Sequence, residues 1–299
     1  MSILNRPSDG LFNVLIVLVR CLAAHGPMHR EKLLNVCAPP SAVESQERAT
    51  QTLNRWIQLG LLNEDESGSI DINAAMHNEV RRRGSDTDRL AKIIRSLVLS
   101  PENNERFWES ENNRSADFTR ALCWMLAQNV FAFEVVGHTD VQKREVAQLR
   151  SLAAFTNDTR WAGFKSWAVF LGFGWIGRYP TNAFVIDPTP AVRDALPQVF
   201  ESSRELRQSV FFSRLAQVLP VVDGGEYRTR VEQKIDRSVL SPTESDQVSS
   251  SLSRALNRLH ECSELILDER ADAEKRSLLG RKSHVVRNVS HIVWKGGKS

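Results

Sequence analysis

The chain has 299 residues, 41% hydrophobic and 25% charged, a soluble globular composition with room for two or three cores. A formal net charge of +3 excludes a histone-like polycation, and four cysteines without CxxC spacing fit free thiols in a reducing cytoplasm. The apolar run from Leu11 holds Arg20, is too short to span a bilayer and precedes no cleavage site, so a cytoplasmic protein away from membranes is expected.

Ser8-Asp9-Gly10 offers a helix cap, and Phe12, Leu15, Ile16, Val19 and Leu22 recur at helical spacing up to Gly26-Pro27. MHREKLLNVCAP predicts a second, shorter helix closed by Pro39-Pro40. Ser41 or Ser45 caps a third, running to about Leu59, with Ala49, Leu53, Trp56 and Ile57 inward and Arg48, Gln51, Thr52 and Arg55 outward. Gly60 suits a left-handed helix end, and Leu61-Leu62 and Ile70/Ile72 then alternate as two strands about Ser67-Gly68-Ser69. Three helices and a strand pair make the pattern of a winged helix-turn-helix.

The pattern recurs in architecture, not in letters. NDTRWAGFKSWAVFLGFGWIGRYPTNAFVID, from Asn157, predicts a helix with the stripe Trp161, Phe164, Trp167/Ala168 and Leu171, stopped by Gly172 and Gly174 and followed by a strand pair. From Ser241, a third copy carries the stripe Leu252, Leu256 and Leu259, then the strand LILDE and its returning partner in VRNVSHIVW. Between the copies lie TDRLAKIIRSLVLS, SADFTRALCWMLAQNVF and KREVAQLRSLAAF as helices, with PENNERFWESENNR as a polar loop. VRDALPQVFESSRELRQSVFFSRLAQVL is also helical, with Pro197 and Pro220 as breaks or kinks. The expected fold is mainly α with small β-wings, three winged helix-turn-helix-like modules joined by helices. The modules fall at 1–80, 141–200 and within 201–299, with a helical linker at 81–140.

Reactive chemistry is sparse. WKGGKS ends like a phosphate-binding loop but has Ile292 where that motif places its first glycine. GFGWIG has the glycine spacing of a dinucleotide fingerprint, but a helix precedes it and a strand follows, the reverse of what that site needs. Cys21, His25, His29 and Cys37 are the one cluster with conceivable metal spacing, interrupted by Gly26-Pro27, and the bland alternative is a buried thiol with capping histidines. No enzyme activity, metal or cofactor is expected.

Binding faces are better represented. In a DNA-reading winged helix the third helix enters the major groove while flanking cations hold phosphates. Arg48, Gln51, Thr52 and Arg55 have that chemistry in the first module, against an acidic wing of Glu64, Asp65 and Glu66. Ser249, Ser250, Ser253, Arg254, Asn257 and Arg258 have it in the third. No acid follows Glu274, while Lys275, Arg276, Arg281, Lys282, Arg287, Lys295 and Lys298 do, making this end the better phosphate partner. The opposing reading is that any helix needs a solvated face. Rings left on the surface of the aromatic-rich second module would favour a protein partner.

The opening NRPSDGLFNVLIVLVRCL, from Asn5 to Leu22, resembles the start of the DpdG family, as do the overall length and the winged-helix pattern that follows. DpdG proteins belong to bacterial gene clusters that put 7-deazaguanine bases into DNA. The resemblance implies a place beside the helicases, ATPases and nuclease of a restriction arm that acts on unmodified DNA. It carries over no catalytic residue. The expectation is a non-catalytic DNA-binding adaptor of an antiviral restriction system, contacting double-stranded DNA and protein subunits. A dimeric transcriptional regulator, a protein-only scaffold subunit and an unnoticed nuclease are the alternatives.

Overall fold

The computed structural model describes residues 3–4, 12–76, 78, 80, 87–109, 114–133, 137–178, 183–241 and 243–296. The expected cap at Ser8-Asp9-Gly10 and the Gly297-Lys298-Ser299 tail lie outside them. The chain is mainly helical with short, chiefly antiparallel sheets. It divides into two compact units, Met1–Phe118 with Thr159–Leu171, and Thr119–Asp158 with Gly172–Ser299.

Helix α1 (Phe12–His25) opens the first unit and buries Leu15, Val19 and Leu22, as their spacing requires. After it come β1 (Met28–His29) and α2 (Arg30–Cys37). Helix α3 (Glu47–Gln58) buries Ala49, Leu53 and Trp56 and ends just before Gly60, whose φ of 86° would strain any residue with a β-carbon. β2 (Leu62–Glu64) and β3 (Ser69–Ile72) then pair antiparallel, with Ile70 and Ile72 alternating inward. β1, which the sequence did not announce, pairs with β3 to give the order β1-β3-β2.

Helix α4 (Thr87–Val98) leads into a stretch expected to be a polar loop. Pro101 instead opens the one-turn helix α5 (Pro101–Asn104), and Asn103, Asn104 and Phe107 are buried. Their polarity fits the interior because the Asn103 amide donates to Leu59 O at 3.0 Å and Leu97 O at 2.9 Å, capping two helix ends at once. α6 (Ala116–Ala127) leads out of the first unit, α7 (His138–Leu149) belongs to the second, and α8 (Asp158–Phe170) returns to the first. There Trp167 packs 5.5 Å from Trp56, and Phe164 5.5 Å from Phe118.

The second unit takes the hairpin of β4 (Gly174–Ile176) and β5 (Phe184–Ile186), so the helix and the strand pair expected of the middle module fall in different units. α9 (Thr189–Phe200), β6 (Glu205–Arg207) and α10 (Gln208–Val218) follow. Pro197 does not break α9: it sits in the last turn, and the helix closes at Glu201, where φ is 51°. After α11 (Glu226–Glu232) and β7 (Gln247–Val248) comes α12 (Ser250–Glu261), with Leu252, Leu256 and Leu259 fully inside. β8 (Leu265–Asp268), β9 (Arg276–Leu279), β10 (Val285–Val289) and β11 (His291–Trp294) complete the chain.

β6, β8 and β11 form an antiparallel sheet of order β6-β11-β8. This repeats the first unit's arrangement: a short strand between the first two helices pairs with the last strand of the hairpin after the third. The recurrence begins at α9 and carries two insertions, α11 with β7 ahead of α12, and β9 with β10 between β8 and β11. The inserted strands form their own sheet, β10-β9-β7, with β7 parallel to β9.

Candidate nucleic-acid interface

In the first unit only part of the expected ridge of α3 points outward. Arg48 is exposed, and the Gln51 amide donates to Glu47 Oε1 at 2.7 Å. Thr52 is buried and its hydroxyl donates to Arg48 O at 2.8 Å; Arg55 is 4% exposed and donates to Gln58 Oε1 at 2.6 Å. Expecting Thr52 and Arg55 on the solvated face is therefore corrected. Thr52 lies three residues after Ala49 and four before Trp56, which places it inside the apolar stripe.

Beyond α3 the surface is acidic. The β2–β3 turn exposes Glu64, Asp65 and Glu66. Arg30 grips Glu64 with Nε at 2.7 Å and Nη2 at 2.5 Å, which holds the Glu64 carboxyl below its ordinary range. Asp65 accepts from Ser67 N, Ser67 Oγ and Ser69 N, hydrogen bonds that fix the turn and lower its pKa. Beside the start of α3 runs a groove of about 720 Å3 whose walls include Val14, Val17, Cys37, Val43 and Ala49.

Helix α12 also departs from an outward ridge. Ser249 caps it, accepting from Leu252 N at 3.4 Å and donating to Asp223 Oδ1 at 2.6 Å. Ser250 accepts from Val130 N at 3.0 Å and donates to Gln128 O at 3.2 Å. Ser251 reaches Leu126 O at 2.7 Å, and Ser253 bridges Val248 O at 3.0 Å to Leu279 N at 2.9 Å. The expectation that Ser250 and Ser253 face a duplex is thus corrected: both are buried, satisfying backbone groups that would otherwise be unpaired inside.

What α12 does present is its later half. Arg254 is half-buried with its guanidinium 4.8 Å from the Phe131 ring centre, donating to Ile186 O at 2.9 Å and Val130 O at 3.2 Å. Asn257 is half-buried, and Arg258, half exposed, pairs with the buried Asp187 carboxylate just after β5. Asp187 is fixed in turn by Thr189, whose N–H and hydroxyl donate to its other oxygen. Burial pulls the Arg254 pKa down; Asp187 pushes it up, and then Arg258 and Arg281 pull it down again. Arg258 thus holds the Asp187 carboxylate, while Arg254 feels that carboxylate and the charges of Arg258 and Arg281.

The β9–β10 hairpin supplies further cations. Arg281, Lys282 and His284 are exposed, and Arg281 and Lys282 take part in no ion pair among the described residues. Arg287 is half-buried with a buried Nε that has no hydrogen-bond partner. Arg276 is committed to the protein, lying 5.1 Å over the Phe212 ring. Val285 and Val286 are exposed on edge strand β10. On the β4–β5 hairpin Trp175 is 46% and Ile176 41% exposed, whereas the other tryptophans and phenylalanines of that aromatic-rich stretch, apart from half-buried Phe170, are in the core. The sequence leaves open which rings of that stretch reach the surface; the place of Trp175 on a two-stranded hairpin was the available signal.

No group of three His, Cys, Asp or Glu side chains among the described residues could hold a metal ion, Cys21, His25, His29 and Cys37 included. No helix among them is long and apolar enough to cross a membrane.

Fold and surface together define a mainly helical, two-unit protein with short sheets, whose second unit exposes Arg281 and Lys282, without an ion pair among the described residues, between β9 and β10. Residues 1–273 match the model of the DpdG-like family, and the chain belongs to that family. Membership associates it with the Dpd gene cluster; the matched segment ends just before β9. No curated protein and no solved structure matches the chain.

Proposed function

We propose that this chain is a non-catalytic adaptor of a DNA-modification-linked restriction system, holding double-stranded DNA with its second unit and a protein subunit with its first. The strand orders β1-β3-β2 and β6-β11-β8, each joining a short strand between two helices to strands that follow a later helix, support reading both as winged helix-turn-helix modules. Family membership supports the restriction context.

The observation that carries the DNA half is the β9–β10 hairpin. Arg281 and Lys282 stand exposed and take part in no ion pair among the described residues, and Arg281 is close enough to Arg254 for the two charges to repel. Cations held near other cations repel one another and gain when phosphates replace their counter-ions. The first unit favours protein instead. Its turn of Glu64, Asp65 and Glu66 repels phosphates, and the groove beside α3 is largely apolar.

The test is fluorescence anisotropy of the full chain on a blunt duplex across a salt series. Arg281→Ala with Lys282→Asn, the latter chosen because φ at Lys282 is 56°, should weaken binding and flatten the log–log salt slope by about two units. Unchanged affinity and slope would remove this hairpin from the DNA account. Incubation with plasmid and magnesium or manganese checks the non-catalytic half, and reproducible nicking would overturn it.

A second reading, a scaffold that contacts protein alone, draws on a groove of about 1010 Å3 along α10. Phe212, Asp246 and Glu274 line it, as does Gln208, whose buried Oε1 has no partner. No duplex binding at low salt would favour that reading.

A further inference from the structure

The groove of about 1010 Å3 along α10 is lined by residues of the second unit alone. Phe212 gives it an apolar wall, with the Arg276 guanidinium 5.1 Å over the ring. Gln208, the first residue of α10, also lines it; the residue is 3% exposed and its Oε1 accepts no hydrogen bond. A buried acceptor without a donor is destabilising, so an occupant that donates to it relieves a cost already present in the fold.

Two carboxylates line the same groove. Asp246 immediately precedes β7 and Glu274 lies two residues before β9, and these strands run parallel, with Gln247 beside Ser277. Ser277 N donates to Asp246 O at 2.8 Å. Both acids therefore sit at one end of the strand pair, exposed and in no ion pair among the described residues. The other charges of the groove are already used. Asp223 accepts from Ser249 N and Oγ, Glu226 lies 3.6 Å from Arg230, and Lys275 donates to Glu269 at 2.8 Å. With Arg276 held over Phe212, two open carboxylates face one cation. In a chain of formal charge +3 this is a local reversal, and it turns phosphates away.

Open carboxylates, an acceptor short of a donor and an apolar wall suit a flat cation with several N–H groups. A guanidinium can meet a carboxylate by two parallel hydrogen bonds and still serve the Gln208 oxygen once that amide turns toward the groove. The volume is more than one side chain fills, which leaves room for the segment that carries it.

We propose that this groove docks an arginine-bearing segment of a partner protein, with Asp246 and Glu274 taking the guanidinium charge and Gln208 accepting one of its N–H groups. The site deepens the protein-contact reading of the groove and rests on it, but holds with or without duplex binding, which the salt series above tests separately.

The experiment is fluorescence anisotropy of the full chain with two labelled octapeptides, one alternating alanine with arginine and one alternating alanine with citrulline. The arginine peptide should bind at least about tenfold more tightly than the uncharged one. Asp246→Asn with Glu274→Gln should cut that affinity about tenfold and leave duplex binding unchanged. Gln208→Met should cut it about fivefold while the thermal midpoint stays at or above the parent's, because the apolar side chain removes the buried acceptor. Should Gln208→Met fail to fold, the exposed acid pair decides alone. Equal binding of the two peptides by the parent would overturn the arginine assignment and leave the groove as a protein contact. Parent-like arginine binding in the acid-pair variant, or in a folded Gln208→Met, would overturn the site. Failure of the parent to bind either peptide would sink the site and the protein-contact reading of the groove together.

Discussion

Arg254 Nη1 donates to the Ile186 carbonyl at 2.9 Å, so an arginine that helical spacing offers to a ligand instead ties α12 to β5. Its second donor reaches Val130 O at 3.2 Å, and Phe131 lies under the guanidinium. Arg254→Ala leaves two carbonyls short of a partner in a half-buried place, each worth about 1–3 kcal/mol when unmade. Urea denaturation should show a loss of about 2–4 kcal/mol. A loss below the error of the measurement would mean that water replaces the guanidinium freely. Any effect of this variant on DNA has to be corrected for that loss, and for this reason Arg281 and Lys282 are the cleaner reporters of phosphate contact.

The same contact shows what a sequence can and cannot disclose here. Helix α3, its stop at Gly60 and the alternation of Ile70 and Ile72 follow from local chemistry, and local chemistry is what spacing reports. Ser250 and Ser253 do not: a serine on a helix reads as solvated until the backbone groups it satisfies, at Val130 and Leu279, are brought in from far along the chain. β1 and β6 are too short to carry a period and exist because β3 and β11 offer them a ladder. Asn103 and Asn104 look like loop residues for the same reason. Of the candidate interface, the exposed Arg281 and Lys282 were legible from charge alone, whereas Trp175 needed the hairpin's open face.

The Arg30–Glu64 pair gives the first unit an acid-sensitive contact. Arg30 lowers the Glu64 pKa, with smaller influences from Asp65, which raises it, and His29, which lowers it. A carboxyl lowered in the folded state contributes stability that is complete above its unfolded value of about 4.3 and fades as pH falls through the folded value. Glu64→Gln should therefore be less stable than the parent near neutral pH, by less than about 1 kcal/mol because both partners are partly solvated. The difference should vanish in acid. A gap that stays constant from pH 7 into acid would show that the pair is held by packing, not charge.

Thiol reactivity separates the four cysteines by position. Cys262 is exposed, just after α12. Burial, followed by the neighbouring Cys21, pushes the Cys37 thiol up to about 12, and burial pushes the fully enclosed Cys123 up as well. Ellman's reagent at neutral pH should meet one fast thiol in the native protein. Cys262→Ser should abolish the fast phase and leave the slower ones untouched. A fast phase that survives this substitution would mean that the groove beside α3, which Cys37 lines, opens readily.

Asn103 offers the sharpest test of how the first unit is held together. Its amide nitrogen caps the carbonyls of Leu59, at the end of α3, and Leu97, near the end of α4, while its oxygen accepts from Arg114 at 3.4 Å. Truncation to alanine leaves both carbonyls buried without this donor and should lower stability by about 2 kcal/mol. Asn103→Asp is nearly isosteric but turns the donor into an acceptor, so an oxygen faces two carbonyl oxygens; only the contact with Arg114 is kept. The aspartate should lose at least as much stability as the alanine at neutral pH and recover part of it in acid, where a protonated carboxyl can donate again. An aspartate variant as stable as the parent at neutral pH would show that these two helix ends find other donors, and that the buried polar turn of α5 fills space rather than joining α3 to α4.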